Sequence, residues 1–146
     1  ERERLIQSIR GLIGEGDGQK VMLVDDDPDM RLSVREALSR SGYEVLEAEN
    51  GSDAFSLLSK EGIEPDIILL DLIMPTMNGF EFLEKFRNDL QSPIPVIVIT
   101  SADLTDEEKH YLSGEVVRVL QKSDIGNSQI IKEIKKIFSF AQLKPS

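Results

Sequence analysis

Five short apolar runs punctuate the chain from Lys20 onward: Val21 to Val24, Tyr43 to Leu46, Ile67 to Leu70, Val96 to Ile99 and Val116 to Leu120. Several are rich in β-branched residues, and each has the length of a β-strand. Between and after them, apolar residues fall at helical spacing. Met30, Val34, Ala37 and Leu38 form a first stripe, opened by Pro28 at a helix start and closed at Gly42. Ala54, Leu57 and Leu58 form a second, and Phe80, Leu83, Phe86 and Leu90 a third. The fourth stretch, Asp106 to Leu112, is short, acidic at its start and weakly patterned, whereas Ile130, Ile131, Ile134, Ile137 and Phe138 make a clear fifth.

Strict alternation of strand and helix implies a parallel sheet, because parallel neighbours need a crossover that a helix supplies, and such crossovers are right-handed. The predicted class is therefore α/β, a three-layer sandwich with a five-stranded parallel sheet and five helices. The run Ile67 to Leu70 reads as a strand buried on both faces, with Asp71 at its carboxyl end and turn signals at Met74-Pro75 and Asn78-Gly79. Ligands bind beyond the carboxyl ends of such strands, which makes Asp71 the first candidate for chemistry.

Residues 1 to 18 follow a different pattern. Leu5, Ile6, Ile9, Leu12 and Ile13 lie at helical spacing before Gly14, Gly16 and Gly18 interrupt it. The division expected is an amphipathic helix and Gly-rich linker over 1–18, a domain over 19–140 and a tail over 141–146. The helix either docks on its own domain or ends an upstream one, and it is a candidate homodimer contact. A first residue of Glu1 rather than Met reads as a fragment of a longer protein.

Charge narrows the partners. Among 146 residues, 27 acidic side chains face 17 basic ones, a formal net charge of -10, which opposes attraction to nucleic acid or anionic lipid. No nucleic-acid partner is expected. With no cysteine, a disulfide framework and a thiolate metal site are excluded, and a cytoplasmic location fits. No apolar run approaches the roughly 18 residues of a membrane span.

The predicted strands end in chemically expressive residues. The first is followed by Asp25-Asp26-Asp27, the third by Asp71, the fourth by Thr100-Ser101 and the fifth by Lys122, and a parallel sheet gathers all of these at one edge. Carboxylates crowded together resist full ionisation unless a cation sits among them. Hard oxygen donors with open positions suit Mg²⁺, which is usually held by one or two carboxylates plus a phosphate. A metal and a phosphoryl ligand are both expected. Asp27, before Pro28, reads as a helix cap, and His110, the single histidine, reads as solvated because no ligand partner lies at helical spacing.

These residues resemble a family. Val21 to Pro28, Ile67 to Asp71 with Met74-Pro75 and Asn78-Gly79-Phe80, Val96 to Thr100, and Lys122 are similar, in order and spacing, to the receiver domains of two-component response regulators, from Lys20 to about Phe140. The resemblance implies a flavodoxin-like sheet of strand order 2-1-3-4-5. It implies that Asp71 is the phosphoacceptor, taking a phosphoryl group from a phosphohistidine on a histidine kinase or phosphotransfer domain. Asp26 and Asp71 then bind Mg²⁺ directly, Asp25 binds mainly through water, and the backbone carbonyl of Ile73 adds a further oxygen. Lys122 pairs with the phosphoryl group, and the Thr100 hydroxyl engages it after transfer, reshaping a surface of the fourth helix, fifth strand and fifth helix.

The chain also departs from the family. Val119 stands where an aromatic switch residue is common, and Ser123 follows the lysine where a cis proline is common, so a trans Lys122–Ser123 bond is expected. Ile73 and Ala102 flank the approach of hydrolytic water and cannot orient it by hydrogen bonding, which implies a comparatively long-lived phosphoaspartate. The segment from Asp103 to Lys122 resembles receivers at the ends of hybrid sensor histidine kinases. Two other readings are a haloacid-dehalogenase-like Mg²⁺ phosphohydrolase, which wants an acid where Ile73 stands, and a degenerate receiver that only docks, against which the intact acid cluster, Thr100 and Lys122 argue.

Overall fold

A computed structural model describes residues 18–143. The predicted N-terminal helix lies outside the described residues, as does the end of the tail. The strands are β1 (Lys20–Val24), β2 (Glu44–Ala48), β3 (Ile67–Leu70), β4 (Val96–Thr100) and β5 (Arg118–Gln121). The α-helices are α1 (Pro28–Arg40), α2 (Gly51–Ser59), α3 (Gly79–Lys85), α4 (Asp106–Glu115) and α5 (Asn127–Leu143); α3 runs on into a single π turn, Phe86–Leu90.

All strands pair in parallel, in the order β2-β1-β3-β4-β5. The sheet is the expected one, and period-two alternation divides its side chains between two cores. Met22, Val24, Ile68, Leu70, Val96 and Val98 pack with Ala54 of α2, Phe82 and Leu83 of α3 and Leu112 of α4. Val21, Leu23, Ile67, Leu69, Ile97 and Ile99 pack on the other face with Val34 and Leu38 of α1 and Ile130 and Ile134 of α5. Two helices thus cover one face and three the other, and β1, β3 and β4 are buried on both, which is why they read as continuous apolar runs. No described helix is long and apolar enough to cross a membrane.

Three boundaries differ from the hydrophobic pattern. Strand β2 starts at Glu44, not Tyr43, and extends to Ala48. The Tyr43 N–H bonds to the Leu38 carbonyl at the end of α1, and its buried ring packs 6.0 Å from that of Phe138 on α5. Strand β5 starts at Arg118, because Val116 still belongs to the end of α4, where its N–H bonds to the Leu112 carbonyl. As an edge strand it leaves Val119 exposed, as is Val117 just before it. Helix α4 runs to Glu115 and buries only Leu112, consistent with its weak pattern. The third stripe omits Phe82, which is fully buried and stacks on Phe86 at 5.5 Å.

Candidate functional site

The carboxyl ends of β1 and β3 are tied together by backbone. The Asp71 N–H donates to the Val24 carbonyl at 2.9 Å, and the Asp25 N–H donates to the Ala48 carbonyl at 3.1 Å. Asp25 and Asp71 therefore leave the sheet side by side, both buried, while Asp26 is exposed. One carboxylate oxygen from each of Asp25, Asp26 and Asp71 lies within 4.8 Å of the others. Asp27 takes a different role, its side chain capping α1 by accepting from the Asp29 N–H at 3.0 Å.

The turn after Asp71 is folded back against it. A Cβ at Gly79 would lie 2.6 Å from the Asp71 carbonyl oxygen and 2.7 Å from the Leu72 Cα, so only glycine lets α3 begin there. Asn78 and Glu81 close a capping box over that helix start. Between them and β3, Thr76 adopts φ 68°, and the Met77 N–H bonds to the Pro75 carbonyl at 2.7 Å. A bond between residues two apart around a positive φ is a γ-turn, a strained connection. Ile73 presents its N–H to Asp71 Oδ1 at 3.4 Å and its side chain to solvent.

Lys122 enters from the end of β5, on the first residue of a 3₁₀ turn, Lys122–Asp124. Its Nζ lies 3.0 Å from Asp25 Oδ2 and 3.4 Å from Asp71 Oδ2. Thr100, at the end of β4, is fully buried, and its hydroxyl oxygen accepts from the Ala102 N–H at 3.1 Å. No peptide bond among the described residues is cis, so Lys122–Ser123 is trans as expected. His110 is exposed on α4, and Val119 is exposed on β5.

The electrostatics follow from this geometry. Burial raises the Asp71 carboxyl above its ordinary range, the charge of Asp25 raises it further, and Lys122 only partly opposes them. For Lys122, burial pulls the ammonium down, but the hydrogen bond and charge of Asp25, joined by Asp71, outweigh it and hold the group above its usual value. The pocket thus holds more negative charge than its own lysine neutralises. Three hard oxygen donors close together, two buried and one open to water, fit a divalent cation that retains part of its hydration shell.

Two side chains at this edge escape the reading of the sequence. Arg31, one turn into α1, donates from Nη1 to the Asp25 carbonyl oxygen at 2.6 Å. Gln121, beside Lys122, donates from Nε2 to the Ala102 carbonyl at 3.1 Å. Neither belongs to a motif, and each is recognisable only from the contact it makes.

Comparison with known proteins agrees with this geometry. The family model for the response regulator receiver domain matches residues 21–135. Protein PilH of Pseudomonas aeruginosa is 38% identical over 58% of this chain and 69% of its own length. The sensor histidine kinase RcsC of Escherichia coli is 33% identical over 75% of this chain, which spans only 11% of that protein. Among solved structures, a CheY-like response regulator receiver domain protein of Methanospirillum hungatei is 28% identical, with a TM-score of 0.73 over 87% of this chain and 99% of that one. A match across the whole sheet and both ends of the acid cluster leaves one conclusion: this chain belongs to the response regulator receiver domain family.

Proposed function

We propose that Asp71 accepts a phosphoryl group from a phosphohistidine on a histidine kinase or phosphotransfer domain, and that the domain then alters its affinity for a downstream partner. The observation that carries this reading is the convergence of Asp25, Asp26, Asp71 and Lys122 at one sheet edge. The Asp71 carboxylate attacks phosphorus, an O–P bond forms, and the N–P bond breaks with its electron pair returning to the imidazole nitrogen. Lys122 already sits between Asp25 and Asp71, where its ammonium can follow the phosphoryl oxygens. The Thr100 hydroxyl, whose oxygen accepts from the Ala102 N–H, has its O–H free to donate to the phosphoryl group.

Mg²⁺ is the cation this site would hold, through Asp26, Asp71, the carbonyl of Ile73 and, by way of water, Asp25; bound there, it supplies positive charge to the phosphoryl oxygens. As an isolated module the domain catalyses only its own phosphorylation and dephosphorylation. Its place is in the cytoplasm, as the C-terminal receiver of a hybrid sensor kinase; similarity to a stretch making up 11% of the sensor histidine kinase RcsC supports a receiver joined to a kinase.

Incubation with a small acyl phosphate and Mg²⁺, followed by intact-mass measurement, tests the reading. One added phosphoryl group, absent in Asp71→Asn and without Mg²⁺, is expected. Rapid turnover of the donor with no stable adduct would favour a phosphohydrolase, and no modification at all would leave a docking module.

A further inference from the structure

Arg31 is tied to the acid cluster through the main chain rather than through a carboxylate. Its side chain runs back from the first turn of α1, as long helical side chains do, and Nη1 reaches the Asp25 carbonyl oxygen at 2.6 Å. Nε of the same guanidinium meets Glu47 Oε1 on β2 at 3.2 Å, and the second oxygen of Glu47 lies 3.0 Å from Arg35 Nε. Asp25 is thereby held at every polar atom. Its N–H bonds to Ala48, its Oδ1 accepts from the Asp27 N–H at 2.9 Å, its Oδ2 pairs with Lys122, and its carbonyl receives Arg31. That carbonyl belongs to the peptide joining Asp25 to Asp26, whose rotation would separate two of the three clustered carboxylates.

We propose that Arg31 is a positioning residue for divalent-cation binding: braced against Glu47, it fixes the Asp25–Asp26 peptide so that both carboxylates face the cation together. The inference rests on the metal reading of the cluster given above. A guanidinium acting only through its charge would do the opposite, because a fixed cation near the site repels a second one. The sign of the effect therefore separates the two roles.

The test is the Mg²⁺ affinity of the unphosphorylated domain, measured by titration calorimetry for wild type, Arg31→Met, Glu47→Ala and the double variant. Methionine retains an apolar stem while removing the donor. Positioning predicts a loss of about tenfold or more in Arg31→Met, the range found when groups that orient metal ligands are removed. It predicts a smaller loss in Glu47→Ala, and a double variant no worse than Arg31→Met, since both act through one contact. An unchanged or higher affinity in Arg31→Met overturns the proposal. Should Arg31→Met fail to fold, Arg31→Gln, which likewise removes the charge and the guanidinium contact, decides in its place, an unchanged or higher affinity overturning the proposal. Failure of the wild type to bind Mg²⁺ instead removes the metal reading itself, and the proposal with it.

Discussion

The side-chain amide of Gln121 on β5 holds the backbone carbonyl of Ala102 at 3.1 Å, while the Ala102 N–H donates to the Thr100 hydroxyl at 3.1 Å. The loop from β4 to α4 is thus fastened on one side to Thr100 and on the other to the strand that carries Lys122. Val119, where an aromatic residue would couple these elements in many receivers, is exposed and forms no such bridge. Gln121→Ala is expected to accelerate amide hydrogen exchange in the loop from Ser101 to Thr105 by roughly five- to tenfold, the equivalent of one hydrogen bond of about 1 kcal/mol. The buried amides of β4 should be unaffected. Unaltered loop exchange would show that the bond does not hold the loop.

Asp71 destabilises the metal-free domain when ionised. Its carboxyl titrates above the ordinary carboxylate range because burial and Asp25 disfavour its charge. Between the unfolded and folded values the native state binds more protons than the unfolded one, so stability falls as pH rises through that window. Asp71→Asn is therefore expected to raise the thermal midpoint by a few degrees at neutral pH without divalent cation, and less in weak acid. Mg²⁺ should stabilise wild type and erase most of the difference. Lys122 works in the other direction: its raised value gives a contribution fully present at neutral pH and lost only in alkali. A neutral-pH midpoint for Asp71→Asn at or below that of wild type would contradict this balance.

Thr76 stores strain beside the site. A β-branched residue at φ 68° sits where glycine is favoured. Relief of a left-handed conformation is worth about 1 to 2 kcal/mol, and the added freedom of glycine in the unfolded chain subtracts about 0.4 to 1. Thr76→Gly should therefore stabilise the domain, by up to about 1.6 kcal/mol, read as a shift in the urea midpoint with an unchanged slope. Destabilisation would mean that Thr76 makes a compensating contact.

Ile73 and Ala102 bear on how long a phosphoryl group persists. The Ile73 side chain is 55% exposed and apolar, and Ala102 ends at a methyl group, so neither can hydrogen-bond a water on its approach to Asp71. Ile73→Asn combined with Ala102→Glu is expected to shorten the lifetime of the phosphorylated domain by about tenfold, less than the roughly 100-fold or more of a full acid–base group because these side chains only orient the water. Loss of phosphate followed by intact mass gives the rate, and an unchanged decay would remove these two positions from the account.

The sequence alone determined which residues share the carboxyl edge of the sheet. Apolar runs alternating with helical stripes force a parallel sheet, and a parallel sheet brings Asp25, Asp26, Asp71, Thr100 and Lys122 to its carboxyl edge whatever the details of packing. The Asp27 cap was equally legible, because a cap depends on neighbours two residues away. Only the tertiary structure decided where β5 begins, why Tyr43 is buried outside β2, and what Arg31 and Gln121 do. In β5 a helix end competes for Val116, and an uncovered sheet edge leaves Val117 and Val119 in solvent, so hydrophobicity and strand part company. Arg31 and Gln121 each grip a backbone carbonyl of another element. A carbonyl is present at every residue, so no pattern of side chains along the chain marks the one that is held.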